Sequence, residues 1–415
     1  MTIEIRALRA GDPAELDAFA DNDLRAFSSD LSREALARRF EADHEPDRFV
    51  VADDDGEIVG NAGALSMALT VAPGVSVPAA GVTWVGVSPT HRRRGVMRWL
   101  LDAVHADARR RGEPVAVLWA SESSIYHHLG YGPATVVQPR ELHPRLLRWR
   151  DADSSGAGSL RAVDAAGLAP VAEAVRRRQS LQRVGALVEP PGRWSAGGWA
   201  VRWRNGPETP GTFAVVHRDG GSEPDGYVLY RVVESWDGGF PSHHLDVMEM
   251  ATTTATAHHE LWRFLCSVDL IGRITVDGLA PDDPLPWLLH NPREVRTTGL
   301  NDAIWVRLLD VEAFFGARLA GVDPEVVVEV EGATGPADEP AVTGRWKLGA
   351  GGASRTDAAA DVELGLAELG ALSLGGHDPR VLAAAGRVTE MADGGAARLA
   401  AVLAAPHDPH CDVHF

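Results

Sequence analysis

Apolar and polar positions set out a regular series of elements along the first third of the chain. Ile3–Arg6 alternates and reads as a strand, while Ala14–Phe27 and Arg33–Ala42 carry apolar residues at helical spacing. Two apolar runs flank Asp53-Asp54-Asp55-Gly56, whose residues tolerate positive φ and predict a hairpin. Gly60–Val71 and Ala79–Val87 predict a second strand pair. In Val96–Arg111, Leu100, Leu101, Val104 and Ala108 recur at helical spacing, and Gly112 ends the helix. Val115–Trp119 reads as a short buried strand and Ser121–Leu129 as a short helix.

A second series begins near Leu160. Leu160–Val163 reads as a strand, Ala166–Gln179 as a helix and Glu189-Pro190-Pro191-Gly192 as a loop. Thr212–His217 and Gly226–Glu234 pair around Asp219-Gly220-Gly221, followed by a strand over His244–Met250, a loop over Thr252–Ala257, a helix over His258–Cys266 and a strand over Arg273–Asp277. This repeats the strand–loop–helix–strand order of the first series. A third series starts near Ile304–Leu309, with strands over Glu325–Glu331, Gly344–Leu348 and Val362–Gly365. Its helices are Val311–Ala317, Leu366–Leu372 and Ala396–Leu403, and glycine-rich loops occupy Gly332–Gly335 and Gly349–Gly352. The fold class is α+β, a mixture of helices with largely antiparallel strands. Three domains are expected, at 1–155, 156–298 and 299–415.

A chain of 415 residues is too long for one ordinary core. The formal charge of −18 argues against nucleic acid and anionic membrane as partners and is compatible with cationic substrates. Cys266 and Cys411 form no C-x-x-C and no zinc spacing, which points to a reducing, cytoplasmic setting. The first residues have no signal-peptide pattern, and no apolar run approaches a membrane span.

The chemistry concentrates at Val85–Met97. The chain leaves a strand at Val85-Gly86-Val87, passes a basic turn and enters a helix. Free backbone N–H groups and the helix dipole favour an anion there, and arginines add bidentate phosphate contacts. Neither G-x-G-x-x-G nor a P-loop accompanies the turn. The loop Thr252–Ala257 at the corresponding place in the second series has hydroxyls but no arginine or glycine. It reads as a degenerate copy without a diphosphate site.

Arg92-Arg93-Arg94-Gly95-Val96-Met97 resembles the acyl-CoA loop R/Q-x-x-G-x-G/A of the GNAT superfamily, with Met97 in place of the second small residue. With Leu118-Trp119-Ala120-Ser121-Glu122, Ile125-Tyr126, Gly130-Tyr131-Gly132-Pro133-Ala134 and the looser Val328-Glu329-Val330 and Gly344-Arg345-Trp346, the whole chain resembles the Eis (enhanced intracellular survival) family. The resemblance implies tandem GNAT-like domains followed by a sterol-carrier-protein-like domain. It also implies acetyl transfer from acetyl-CoA, a co-substrate, to amines such as aminoglycosides, polyamines or lysine side chains, without a metal, in a homo-oligomer that is a hexamer. Its CoA segments fall on Val85, Gly86, Val87, on Arg93, Arg94, Gly95, Val96, Met97, Arg98, and on Ser121 and Glu122.

The same resemblance assigns the general acid to Tyr126 and the base to the terminal carboxylate of Phe415. A phenol is protonated at neutral pH and can donate to a leaving thiolate. A free α-carboxyl is a weak base in water, and burial raises it. His127, His128, His414 and Glu122 are alternative bases, and Cys411 an alternative acyl carrier. Trp84 is a candidate wall of the acceptor pocket, with its π-face toward a cation; Asp30 and Asp23 are candidates to meet an ammonium group. The pairs His243-His244 and His258-His259 lack the i, i+4 spacing of helical metal ligands. Two other classes fit the sequence: a lipid or sterol carrier built on the third series, and a scaffold that binds CoA without catalysis.

Overall fold

The computed structural model describes residues 3–34, 36–37, 40, 45–150, 158–189, 211–221, 223–332 and 340–415. The expected helix over 33–42 and the loops at 189–192 and 332–335 therefore fall partly outside the described residues. The chain forms two compact units. One holds Met1–Thr135, Ala303–Pro406 and His414–Phe415; the other holds Val136–Asp302 and His407–Val413.

In the first unit, α1 (Pro13–Phe27) starts at Asp12, whose carboxylate accepts from the Ala14 N–H at 3.0 Å, and stops where Ser28 takes φ 49°. Strands β1 (Glu4–Ala7), β2 (Phe49–Asp54), β3 (Glu57–Ala72) and β4 (Val75–Val87) pair in that order, all antiparallel. The β2–β3 turn is closed by Asp55 and Gly56 at φ 55° and 93°, and Asp53 Oδ1 accepts from the Gly56 N–H at 2.6 Å. Helix α2 (Val96–Arg110) buries Leu100, Leu101, Val104 and Ala108. Adjacent strand residues point to opposite faces. Val51 and Ile58 join one core with Phe19, Phe49 and Trp84, while Ala52 and Val59 join another with Val96, Leu100 and Val104. Both faces of the central strands are covered, which is why β3 is apolar almost throughout.

Beyond β4, the sheet continues with β5 (Val115–Trp119), then Ile304–Leu308, then β6 (Gly132–Pro133). Ile304–Leu308, where the third series was expected to begin, is thus an interior strand of the first sheet, antiparallel to both neighbours. Helix Leu366–Leu372 lies against it so closely that a methyl on Gly132 would overlap the Ala367 carbonyl, and one on Gly370 the Val306 carbonyl. A second sheet of this unit runs in the order Gly352–Arg355, Gly344–Gly349, Val326–Glu331, Val362–Gly365, Val388–Glu390.

The second unit's sheet runs Val295–Thr297, β7 (Val136–Leu142), Ile271–Leu279, His243–Thr252, Gly226–Val233, Thr212–Arg218, β8 (Ser159–Val163). Helices α4 (Ala165–Ser180) and α5 (Ala255–Ser267) bury Leu168, Ala172 and Val175, and Leu261, Trp262 and Leu265; the short α3 (Ser123–Tyr126) belongs to the first unit. No helix of the described residues is long and apolar enough to cross a membrane.

Candidate active site

The basic turn is folded as an anion cradle. Arg93 and Gly95 take φ 63° and 84°, and Gly95 is the N-cap of α2, with no side chain accepting from the helix start. The first-turn N–H groups of Val96, Met97 and Arg98 therefore keep their bonding capacity, at the positive end of a helix of 15 residues. Arg93 and Arg94 are exposed beside it. Arg92 has a different job: its Nη2 donates to the Ala26 carbonyl at 2.8 Å and its Nε to the Val87 carbonyl at 3.4 Å, which ties the turn to α1 and β4. Asp54, His91, Thr90 and Ser88 form a chain of hydrogen bonds of 3.1, 2.8 and 3.1 Å that braces the other side. Met97 packs against the core cluster under α2, so it offers the turn its backbone and not its side chain.

Beside this turn the sheet opens. β4 pairs with β5 in parallel over Ala79–Gly81 only. Beyond that, Trp84 takes φ 54° and the β3–β4 register shifts between Asn61 and Gly63, a bulge that turns β4 away. Asn61 braces the bulge from within, donating to the Trp84 carbonyl at 2.6 Å and to Asp23 at 3.3 Å. Val85, Gly86 and Val87 follow the bulge and bond only to β3 among the strands. The Trp84 indole lies 5.5 Å from the Phe19 ring and 5.6 Å from Phe40 and is 8% exposed, so it belongs to the aromatic core beneath β4. Asp23 is buried next to it, and Asp30 is exposed after α1.

The end of the chain lies in this region of the first unit. The His414 ring stacks on Trp119, at the end of β5, with centroids 3.8 Å apart. A methyl built on Gly81 would sit 3.3 Å from Cε2 of the Phe415 ring. The last two residues thus lie against β4 and β5 where the two strands part. Trp119 and Gly81 were not singled out from sequence; only the arrival of the distant chain end gives them this role.

Tyr126 closes α3 and is 6% exposed, its ring 6.1 Å from that of Tyr131. Burial raises its pKa, a hydrogen bond with Ser121 opposes this, and the Glu122 charge adds to the rise. Ser121 and Glu122 are exposed in the turn before α3. Tyr131 is engaged with His105 at 2.7 Å. The alternative bases have other engagements. His127 meets Arg387 and lies 3.7 Å from Glu368, and burial lowers its pKa. His128 faces the His127 ring. Burial pushes the Cys411 thiol up to about 12, so it stays protonated and a poor nucleophile.

At the matching place in the second unit, the start of α5 is already filled. Thr254 Oγ1 accepts from the Ala257 N–H at 3.1 Å and donates to Asp225 at 2.8 Å. Asp225 also meets His217 at 2.7 Å. A diphosphate would meet a carboxylate there instead of arginines. His243 bonds the Ser235 carbonyl, His244 Thr275 and His258 Asp283, while His259 packs 5.3 Å from Trp149. Each has its own partner, and among the described residues no three metal-binding side chains gather.

Comparison with known proteins finds the sequence pattern described as an acetyltransferase (GNAT) domain over residues 6–134, a second of the same description over 185–308, and a sterol carrier protein domain over 311–412. This is the tandem arrangement expected from the sequence. The chain is 37% identical to N-acetyltransferase Eis of Mycobacterium tuberculosis over 349 residues, 82% of each chain. It is 34% identical over 400 residues to an uncharacterised N-acetyltransferase of Streptomyces avermitilis, covering 95% of both. The crystal structure of Eis1 from Mycobacterium abscessus superposes over the whole of both chains with a TM-score of 0.86 at 29% identity. A GCN5-related N-acetyltransferase from Kribbella flavida does so with 0.76 at 25% identity, over 100% of this chain and 99% of that one.

Proposed function

The chain belongs to the Eis family of GNAT N-acetyltransferases and is an acetyltransferase, and on that premise we propose that it acetylates amines of cationic acceptors: polyamines, aminoglycosides or lysine side chains. The observation that carries the proposal is the uncapped start of α2 behind Arg93 and Arg94, set beside a strand that has parted from its neighbour. Such a pair suits a diphosphate with an amide-bearing tail, which is the chemistry of acetyl-CoA. The backbone of Val85–Val87 would bond the pantetheine amides, and Arg93–Arg98 the diphosphate, with Ser121 and Glu122 at the rim.

Acetyl-CoA supplies the thioester carbonyl. The acceptor nitrogen forms the new C–N bond as the C–S bond breaks. The Tyr126 hydroxyl gives its proton to the leaving sulfur, and the Phe415 α-carboxylate takes the proton that nitrogen loses. The chain's charge of −18 and the exposed Asp30 favour a cationic acceptor. The same membership suggests a homohexamer acting in the cytoplasm.

The test is thiol release from acetyl-CoA across a panel of aminoglycosides, polyamines and lysine peptides. Turnover with at least one polyamine or aminoglycoside is expected, abolished when two residues are added after Phe415 while acetyl-CoA still binds. Absence of turnover across the whole panel would sink the acceptor class. Full activity in the extended chain would sink the role of the terminal carboxylate.

A further inference from the structure

The terminal carboxylate is useful only if the chain end is held still, and free termini fray. Residues 407–413 belong to the second unit, whereas His414 and Phe415 belong to the first. Within the second unit, α4 and the turn after it grip the tail at three points. Arg183 donates to the Asp408 carbonyl from Nε at 3.0 Å and from Nη2 at 2.7 Å. The His410 N–H donates to the Val184 carbonyl at 2.9 Å. Nearest the end, Arg176 Nη1 donates to Asp412 Oδ1 at 2.6 Å.

Arg176 is the unusual member. It is 6% exposed, and its Nε donates to Glu249 Oε1 at 2.9 Å and to the Tyr227 hydroxyl at 3.2 Å. Glu249 already balances its charge in the interior, so neutralising the guanidinium does not require Asp412. What the second carboxylate adds is a charged fork closed on the chain three residues before its end. Cys411 and Val413, on either side, are 0% and 2% exposed, so the segment is packed as well as bonded.

We propose that Arg176 is a positioning residue for acetyl transfer: by clamping Asp412 it fixes the last residues of the chain, so that the Phe415 carboxylate stands ready for the departing amine proton. This rests on the reading above that this carboxylate is the base. Two residues separate the clamp from Phe415, and an unclamped segment of that length sweeps several ångströms. A misplacement of about 1 Å costs up to about a hundredfold in rate.

Asp412→Ala opens the clamp and leaves the Arg176–Glu249 pair intact; the Asp412 side chain is 29% exposed, so the fold tolerates the change. In the full-length protein, the measurements are kcat, the KM for acetyl-CoA, the melting temperature, and the rate at which carboxypeptidase A releases Phe415. The expected result is at least tenfold faster release and at least a tenfold lower kcat, with KM for acetyl-CoA and melting temperature unchanged. Asp412→Glu recovers part of both. Release at the wild-type rate overturns the clamp, whatever happens to kcat. Faster release with unchanged kcat keeps the clamp but overturns the assignment of the Phe415 carboxylate as base.

Discussion

At the scale of the residue, burial of the Tyr126 phenol keeps it protonated well beyond neutral pH, which suits an acid and not a base. Tyr126→Phe is expected to lower kcat about 10²- to 10⁴-fold while leaving acetyl-CoA affinity, read by calorimetry, where it was. A loss of less than threefold would remove the phenol from the reaction. Glu15 offers a separate check on the first unit. Burial pushes its pKa up, but hydrogen bonds from the Arg6 side chain, the Arg9 backbone and the Arg9 side chain outweigh this and bring it from 4.5 to about 2. A depressed carboxylate stabilises above its unfolded pKa and loses that contribution as pH falls through the folded one. The melting-temperature gap between wild type and Glu15→Gln should therefore be full above pH 5 and close as pH approaches 2. Tyr126 was legible from its motif. Trp84 shows what was not: its side chain joins the aromatic core through a bulge at φ 54°, and a bulge resets which way strand residues point.

At the scale of the element, the start of α2 is the part that binds by charge. Replacing Arg93 and Arg94 together by Gln should raise the KM for acetyl-CoA about tenfold or more, with kcat within about twofold, since these contacts serve bound substrate and transition state alike. The wild-type KM should rise with salt, and the double variant's less steeply. Equal KM values would place the diphosphate elsewhere. Elements bounded by turn residues were legible: the Asp55-Gly56 hairpin, Val115–Trp119 and the helix after Gly95 lie where periodicity put them. Strand β7 was not read, because Pro139 sits inside it and Pro argues against an interior strand. The structure accommodates it at a shift in register between Val276 and Leu279, where Pro139 still accepts from the Thr298 N–H at 2.9 Å. The self-capped start of α5 matches the expectation from its loop composition, although Asp225 and His217 contribute from outside that loop.

At the scale of the molecule, the first unit is discontinuous in sequence. Ile304–Leu308 is hydrogen-bonded between β5 and β6, with every residue buried. A fragment of residues 1–150 would leave β5 with an open apolar edge. It is expected to show no cooperative thermal transition by circular dichroism, and a transition at the full-length temperature would contradict this. The sequence by itself determined what depends on neighbours along the chain: helix faces, hairpin turns, the arginine-rich turn and its affinity for a diphosphate, the repeat of one fold and the order of three domains. Only the tertiary structure decided what depends on residues far apart. It inserted Ile304–Leu308 into the first sheet, turned Trp84 into the core, closed Arg176 on Asp412 and laid Phe415 against Gly81. The reason is physical: periodicity and turn chemistry are local, whereas strand partnership and the resting place of a chain end are set by which distant surfaces bury each other.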